Sequence, residues 1–443
     1  MNKSGTTPKA RLSLLDSMCI VVGIIVGSGI YEVTPTVAAQ FPHWSHVIGI
    51  WILGGLLSLA GALCYAELTS SYPNDGGDYI YLNRAYGSIT SFLFAWSRTV
   101  IIGPGSIAAM AFPFATYAVT IWNPFTGTSL EDKSLALISV IVILTLTAVN
   151  SFRIDFGTRT QNILSITKVI GLIIILVLPL LNLSSSPNPT SFDIPQNLEI
   201  EKIGLALILV LFTFGGWSEI SFVAGEVRNP NKNLHRTLVG GVILVTTLYI
   251  LLNSVFLVTL GHSGVASSES IAADAVSTYS AIPAATLVSI LICISTLGAV
   301  QGLIFTGARI SYAFGKDYSY LKHLGHWNEK QGGPVTALWL QAFISVLIVL
   351  FAGSFNDTLV YTTTVVWFFY CLTGLSIFVL RKKDKERNRP YKTLGYPVTV
   401  LVFCASCLFL TYSAFVYNST GSIISICIAL FGLPIFILSK KSY

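Results

Sequence analysis

Long apolar runs, separated by short polar or charged stretches, fill this sequence from about residue 15 to its end. A helix needs about 20 consecutive apolar residues to cross a bilayer. The runs predict about twelve spans, which begin near residues 15, 46, 89, 134, 160, 203, 238, 284, 335, 357, 396 and 421. Only 10% of the 443 residues are charged, against about 25% in a typical soluble domain. We therefore expect an all-α membrane protein with the lipid bilayer as its surroundings.

Lysine and arginine are distributed unequally between the two sides that these spans define. An even number of spans places both termini on one side, and nearly all of the 26 lysines and arginines fall there. The opposite side carries Lys133 and Lys202, while Arg98 and Lys168 lie within spans. Positively charged residues accumulate in cytoplasmic loops. We therefore expect residues 1–14 to form a cytoplasmic tail and both termini to be cytoplasmic.

Two spans contain small, flexible residues near their middle. Span 1 contains GIIVGSGI (23–30) and span 6 contains FTFGGWSE (212–219). A broken helix is tolerated at membrane depth only where its free backbone groups line a cavity or hold a ligand. Breaks in the first span of each of two five-span halves indicate an inverted-repeat secondary transporter. The alternative is close helix packing through the GxxxG pattern of Gly23 and Gly27.

The paired breaks also predict how the chain is divided. We expect residues 15–182 to form the first inverted repeat (spans 1 to 5) and residues 203–381 the second (spans 6 to 10). Residues 396–440 would then form two additional C-terminal spans.

The broken helices offer backbone groups that suit a zwitterion. A half-helix that begins at Gly29 has free N–H groups and a positive dipole end, which suit a carboxylate. Free carbonyls around Ile25 and 212–215 suit an ammonium group. The side chain would be selected by Phe212, Gly216, Trp217 and Ser218.

Several motifs make the sequence recognisable. They are GSGI (27–30), YAEL (65–68), GGDYIYLNRAYG (76–87), PGSIA (104–108), FGGWSEISFVAGEVRNPNKNL (214–234) and RPYKTLGYP (389–397). With them the chain resembles the amino acid-polyamine-organocation (APC) superfamily, and within it the L-amino acid transporter branch.

The resemblance implies a LeuT-type fold, a five-plus-five inverted repeat with helices 1 and 6 broken in mid-membrane. It implies that the N–H groups of Ser28 and Gly29 hold the substrate carboxylate. It also implies an aromatic gate at Phe212 and amine contacts from the carbonyls of Ile25, Phe212, Thr213 and Gly215. With these, the candidate substrate-binding residues are Ile25, Gly27, Ser28, Gly29, Phe212, Thr213, Gly215, Gly216, Trp217 and Ser218.

The chain departs from that branch at two places. Branch members commonly have Asn after GGW, where this chain has Ser218, so their side-chain preference does not carry over. Eukaryotic members join a heavy subunit through a cysteine between spans 3 and 4, and the loop from Trp122 to Lys133 has none. We therefore expect no disulfide-linked heavy subunit and a stand-alone protein of a plasma membrane, the bacterial inner membrane.

Lys168 lies near the middle of span 5, about 13 Å along the helix from Arg159. Placing a charged lysine at that depth costs free energy, so a functional role is expected. The alternative is a side chain that extends to the inner interface. The resemblance implies that its ammonium replaces a sodium ion and bridges a carbonyl near Gly23 and a span 8 hydroxyl, that of Ser295.

Two further charged residues fall within spans. Glu219, just after the span 6 break, either lines the pathway or pairs with a polar neighbour. Arg98, about two helical turns into span 3, is expected to extend to the inner interface, with a pairing at an inner gate as the alternative. The candidate coupling and gating residues are Lys168, Gly23, Ser295, Phe212 and Glu219.

These features exclude several classes of function. The sequence has no phosphate-binding loop or metal-ligand spacing, so we expect no cofactor and no metal. No paired carboxylates or nucleophile and base point to an enzyme, and the basic residues lie in loops, not on a nucleic-acid-binding module. The sequence indicates a sodium-independent secondary transporter of neutral L-amino acids, working by alternating access as an exchanger. The alternatives are a proton-coupled symporter and a non-transporting amino acid sensor.

Overall fold

The computed structural model describes residues 10–126, 132–180, 200–278, 284–352 and 355–439. Nearly all of this part of the chain is helical. Strand-like pairing in it is limited to two isolated bridges, Leu12 with Val227 and Asn328 with Gly333. The predicted all-α architecture is confirmed.

The helices follow the order of the predicted spans. The first half contains α1 (Leu14–Ile25), α2 (Gly29–Gln40), α3 (Trp44–Ser71), α4 (Asp78–Tyr86), α5 (Ser88–Ser97), a π-helical turn (Arg98–Ile102), α6 (Gly103–Thr126), α7 (Asp132–Phe152) and α8 (Ile154–Leu180). The second half contains α9 (Ile200–Thr213), a 3₁₀ segment (Trp217–Glu226), α10 (Pro230–Ser267), α11 (Ile271–Ser277), α12 (Ala284–Asp317), a 3₁₀ turn (Ser319–Leu321), α13 (Val335–Ala352) and α14 (Phe355–Lys383). The chain ends with α15 (Val398–Tyr417), α16 (Ser419–Leu430) and α17 (Gly432–Leu438).

Several of these helices, alone or joined to their neighbours, could cross a membrane. In the described ranges, ten continuous helical stretches are long and apolar enough, and α1 and α2 pass the same test as one span bent by 42°. Within α13, the apolar helix Val335–Phe351 is shorter. Each predicted span is helical, but length and composition support ten or eleven crossings. The predicted count of about twelve is therefore not confirmed.

Span 1 is broken at the predicted place. α1 begins with a capping box in which the Asp16 N–H donates to Ser13 Oγ and the Ser13 N–H donates to the Asp16 carboxylate. It ends at Ile25, and α2 begins at Gly29. Residues 26–28 therefore connect two half-helices inside one span.

Span 6 is broken at the corresponding point of the second half. α9 ends at Thr213, and Gly216 has a φ of 101°, a left-handed conformation that favours glycine. A Cβ atom at Gly216 would lie 2.3 Å from Cγ2 of Ile24 on α1. Glycine at this position therefore permits both the break and the close approach of span 1. The prediction that helices 1 and 6 are broken is confirmed.

The rest of the fold surrounds the two broken spans. α1 packs against α8, α10 and α12, and the 3₁₀ half of span 6 packs against α1, α10 and α12. A short helix follows the second span of each half, α4 in the first and α11 in the second. The outward face of α8 exposes Ile163 and Ile170 to the surroundings, as expected of a lipid-facing helix. The polar backbone of the breaks is thus enclosed by other helices.

Candidate binding site

A cavity of about 130 Å³ lies between the two breaks. All of the predicted substrate-binding residues except Ser28 and Ser218 line it. Spans 3, 8 and 10 complete the wall with residues that include Met110, Leu303 and Trp367. The structure therefore brings the two sequence motifs to one cavity.

One side of the cavity is formed by the N-terminal end of α2. The Gly27 N–H donates to the Ile25 carbonyl over 2.9 Å, whereas the N–H groups of Ser28 and Gly29 have no backbone acceptor in the described ranges. A Cβ atom at Gly29 would lie 2.8 Å from Oγ1 of Thr213 on the other break. This end of the cavity therefore has free N–H donors at the start of a helix, which suit an anionic group.

Carbonyl groups of both breaks face the same region, but some already accept hydrogen bonds. The Tyr249 hydroxyl on α10 donates to the Ile25 carbonyl over 3.0 Å and lies 3.5 Å from that of Thr213. The Phe212 carbonyl accepts from the Gly215 N–H over 2.8 Å. A carbonyl oxygen has two lone pairs, so each can also accept from an ammonium group.

Tyr249 was not predicted from the sequence. It is fully buried, and its ring packs edge-on against Trp51 and Phe214. A tyrosine in the middle of span 7, four residues before Asn253, is a polar signal at membrane depth that could have indicated it. Its hydroxyl links the two breaks.

Ser218 lies outside the cavity wall. Its hydroxyl and that of Tyr370 lie 2.7 Å apart in a hydrogen bond, and Tyr370 lines the cavity. Trp217, which does line the cavity, packs edge-on against Tyr65. An influence of Ser218 on the substrate side chain would therefore pass through Tyr370.

Lys168 is fully buried and lies beside the end of α1, outside the cavity wall. Its Nζ atom donates to the carbonyl oxygens of Gly23, Val26 and Ser295, each over 2.7 Å. An ammonium group has three N–H donors, and all three are used here. The expectation of a Ser295 hydroxyl was wrong: the contact is made by the backbone carbonyl, because α12 presents its main chain to Lys168.

Close helix packing makes this arrangement possible. A Cβ atom at Gly298 would lie 2.7 Å from the Lys168 Nζ atom. One at Gly23 would lie 2.1 Å from Nε2 of Gln161 and 2.2 Å from Oγ of Ser165. Glycines on α12 and α1 thus let Lys168 and its neighbours on α8 reach the main chain.

More hydrogen bonds join α1 to α8 towards the start of α1. The Ser165 hydroxyl and the Gln161 amide both donate to the Cys19 carbonyl, over 2.7 and 3.2 Å. The Asn162 amide donates to Asp16 over 2.6 Å. Together with Lys168, these bonds form a polar seam along α1.

Arg98 and Glu219 form a buried ion pair in the cavity wall. Glu219 also accepts a 2.7 Å hydrogen bond from Thr306 on α12, and the Arg98 guanidinium lies 4.9 Å from the Phe222 ring centre. The expectation that Arg98 extends to the interface was wrong, because the residue is only 7% exposed and its charge is paired inside the fold. Glu219 does what both of its alternatives described: it lines the cavity and it pairs.

A second buried ion pair lies at the inner end, the end of the molecule where α1 begins. Arg309 on α12 donates from Nε to Glu226 over 2.8 Å, and the pair is almost fully buried. Asp75, in the loop after α3, accepts from the Gly225 N–H over 3.1 Å. Burial and the neighbouring Glu226 raise the pKa of Asp75 to about 7.

Known proteins resemble this chain over nearly its whole length. The model of a family described as amino acid permease matches residues 12–437. The human b(0,+)-type amino acid transporter 1 is 31% identical over 90% of this chain and 80% of its own. The serine/threonine exchanger SteT of Bacillus subtilis is 27% identical over 98% of this chain and 97% of its own. The human large neutral amino acids transporter small subunit 2 is 29% identical over 98% of this chain and 81% of its own.

Proposed function

The chain belongs to the amino acid permease family, and from that membership we propose that it is a sodium-independent exchanger of neutral L-amino acids that works by alternating access. The relatives matched are amino acid transporters and exchangers, not enzymes. The observation that carries the proposal is the cavity between the breaks of spans 1 and 6, with N–H donors on one side and carbonyl acceptors on the other.

The cavity chemistry supports an α-amino acid as the substrate. The N–H groups of Ser28 and Gly29 would hold its carboxylate, and the carbonyls of Ile25, Phe212 and Gly215 would hold its ammonium group. These backbone groups recognise what all α-amino acids share. Selection among them would then depend on the side chains in the wall.

Lys168 supports independence from sodium. Its ammonium occupies a space between three carbonyl oxygens, of Gly23, Val26 and Ser295. Oxygen atoms of this kind are what a hard cation such as sodium would require as ligands. With a fixed positive charge already there, no ion needs to bind before the substrate does.

Alternating access requires one of the packed seams to open. We expect α1 to move away from α8 when the cavity opens towards the inner end, which breaks the bonds of Lys168 to α1. The substrate would favour the closed state by binding both breaks at once. Residues 15–182 and 203–381 would then act as the two inverted repeats, with residues 396–440 outside them.

The membrane and orientation are also part of the proposal. We expect a plasma membrane, the bacterial inner membrane, with both termini cytoplasmic and no disulfide-linked heavy subunit. The basic residues on the side of the termini and the lack of cysteine between Trp122 and Lys133 support this. Labelling of single cysteines placed at Lys133 and Lys385 with an impermeant reagent in whole cells tests it: only the first should react.

Purified protein in liposomes tests the function. We expect uptake of labelled neutral L-amino acids to accelerate when unlabelled amino acid is present inside, and to be the same with sodium or choline outside. A strict need for a sodium gradient would contradict the proposal. Proton flux that accompanies uptake would favour the symporter, and saturable binding without uptake would favour a sensor.

A further inference from the structure

The cavity has one strongly polar region in a mainly apolar wall. Arg98 and Glu219 are its two charged residues among those described, and Thr306 donates to Glu219 from behind. We call these three residues the polar pole. The wall around it includes Ile102, Met110 and other apolar side chains. A buried ion pair is costly to desolvate, so its position in a ligand cavity needs an explanation.

The guanidinium of Arg98 has more hydrogen-bond donors than its bond to Glu219 uses. It has five N–H donors, and it donates to Glu219 from Nη2. Its Nε–H is closed off and has no acceptor, and no hydrogen bond of its Nη1 atom is found in the described part of the chain. Buried donors are nearly always paired, because an unpaired one forfeits its hydration. Because Arg98 lines the cavity, the Nη1 donors of its guanidinium indicate an acceptor supplied by the ligand.

The charges around Arg98 restrict what that acceptor can be. Glu219 already neutralises the guanidinium, and the buried Asp78 also interacts with it electrostatically. A carboxylate on the substrate side chain would therefore meet two other carboxyl groups, while an ammonium group would meet Arg98. A neutral group with an oxygen acceptor avoids both conflicts.

We propose that the polar pole binds the substrate side chain, and that the preferred substrates are neutral L-amino acids whose side chains carry a hydroxyl or carboxamide oxygen. The inference rests on the proposed function, because the breaks must hold the α-carboxylate and α-ammonium groups. Arg98 is then a binding residue for the side chain. A site built to hydrogen-bond a substrate rejects an analogue that lacks the group, because its own polar atoms stay unpaired.

Pairs of amino acids with nearly the same shape test the proposal in the unmodified protein. L-threonine and L-valine differ by a hydroxyl in place of a methyl group, and L-asparagine, L-aspartate and L-leucine are similar in size. Inhibition of labelled-substrate exchange in liposomes gives an affinity for each. We expect threonine to bind about tenfold or more tighter than valine, the value of one hydrogen bond to a charged donor. Asparagine should also bind tighter than leucine and aspartate.

A double variant tests whether Arg98 is the cause. Arg98→Leu with Glu219→Gln removes both charges together, so that neither is left buried and unpaired. We expect threonine to lose its advantage over valine, so that the ratio of their affinities falls to about one. The matched control is Arg309→Leu with Glu226→Gln, which removes the other buried ion pair, whose residues do not line the cavity. That control should leave the ratio of threonine to valine affinity unchanged.

The outcomes separate this inference from the proposed function. Equal affinities for threonine and valine in the unmodified protein, with exchange of both, would contradict side-chain binding by the polar pole. The proposed exchanger function would be unaffected. A ratio that survives the Arg98 and Glu219 double variant would also contradict side-chain binding by the polar pole. Tighter binding of aspartate or lysine than of asparagine would show that the pole recognises a charge. No exchange of any neutral amino acid would overturn the proposed function and the inference with it.

Discussion

The Nζ atom of Lys168 lies 2.7 Å from the carbonyl oxygen of Gly23, at the last turns of α1 before its break. The same atom donates to Val26 and Ser295, so one side chain ties α8 to α1 and α12. Without it, the carbonyls of Gly23 and Val26 beside the break would lose this buried donor. This makes Lys168 a sensitive point at which to test how span 1 moves.

Lys168→Ala should reduce the exchange rate more than about tenfold, since the lost bonds include charge-assisted ones worth roughly 1.5–3 kcal/mol each. Ser295→Ala should have a smaller effect, because the bond is to the main chain and survives the change. Exchange rates and folded yields of both variants provide the measurement. Lys385→Ala, on an exposed lysine, is the control. Unchanged turnover in Lys168→Ala would contradict the role of the bridge.

Gly29→Val should abolish binding of all substrates alike. A Cβ atom there would lie 2.8 Å from Oγ1 and 3.0 Å from Cγ2 of Thr213, so the added side chain forces the two breaks apart. Gly49→Val, on α3, is the matched control because a Cβ atom there meets nothing within 4 Å. Calorimetry on the purified variants tests the difference. Normal affinity in a folded Gly29→Val protein would mean that the carboxylate site is elsewhere.

Tyr249→Phe should weaken the binding of every substrate by about fivefold, the value of one neutral hydrogen bond near 1 kcal/mol. The hydroxyl holds the Ile25 carbonyl between the breaks, and its loss leaves that carbonyl less fixed. Tyr81→Phe is the control, since the buried Tyr81 hydroxyl has no hydrogen-bond partner among the residues that the structure describes. Equal losses of affinity in the two variants would argue against a specific role of Tyr249.

Asp75 should make the inner end sensitive to pH. Burial and Glu226 raise its pKa to about 7, although Arg309, the Gly225 N–H and Lys316 each act to lower it. A raised pKa means that the folded state favours the protonated carboxyl. Asp75 therefore contributes to the stability of the folded state at acidic pH, and this contribution is lost as the pH rises through about 7.

The melting temperature in detergent should therefore fall between pH 6 and pH 8, and Asp75→Asn should reduce that fall. Asp155→Asn, at a half-exposed aspartate, should leave the fall as it is in the unmodified protein. A pH profile that Asp75→Asn does not alter would show that Asp75 does not titrate in this range.

The sequence was sufficient for the elements whose formation depends on local composition. Apolar runs must become helices in a bilayer because their backbone groups have no water to bind. The glycines of GIIVGSGI and FTFGGWSE allowed both breaks to be placed within a few residues. Lys168 could also be predicted, because a lone charge at that depth needs acceptors, and unpaired carbonyls lie at a helix break.

Only the tertiary structure decided which groups meet across the helices. Arg98 and Glu219 lie on different spans, and their pairing depends on how spans 3 and 6 are rotated and shifted relative to each other. Tyr249 reaches Ile25 for the same reason, and Lys168 meets the main chain of Ser295 because Gly298 lets α12 come close. Local patterns determine that a helix forms and where it breaks. Contacts between helices depend on how closely their side chains pack, which is set throughout the fold.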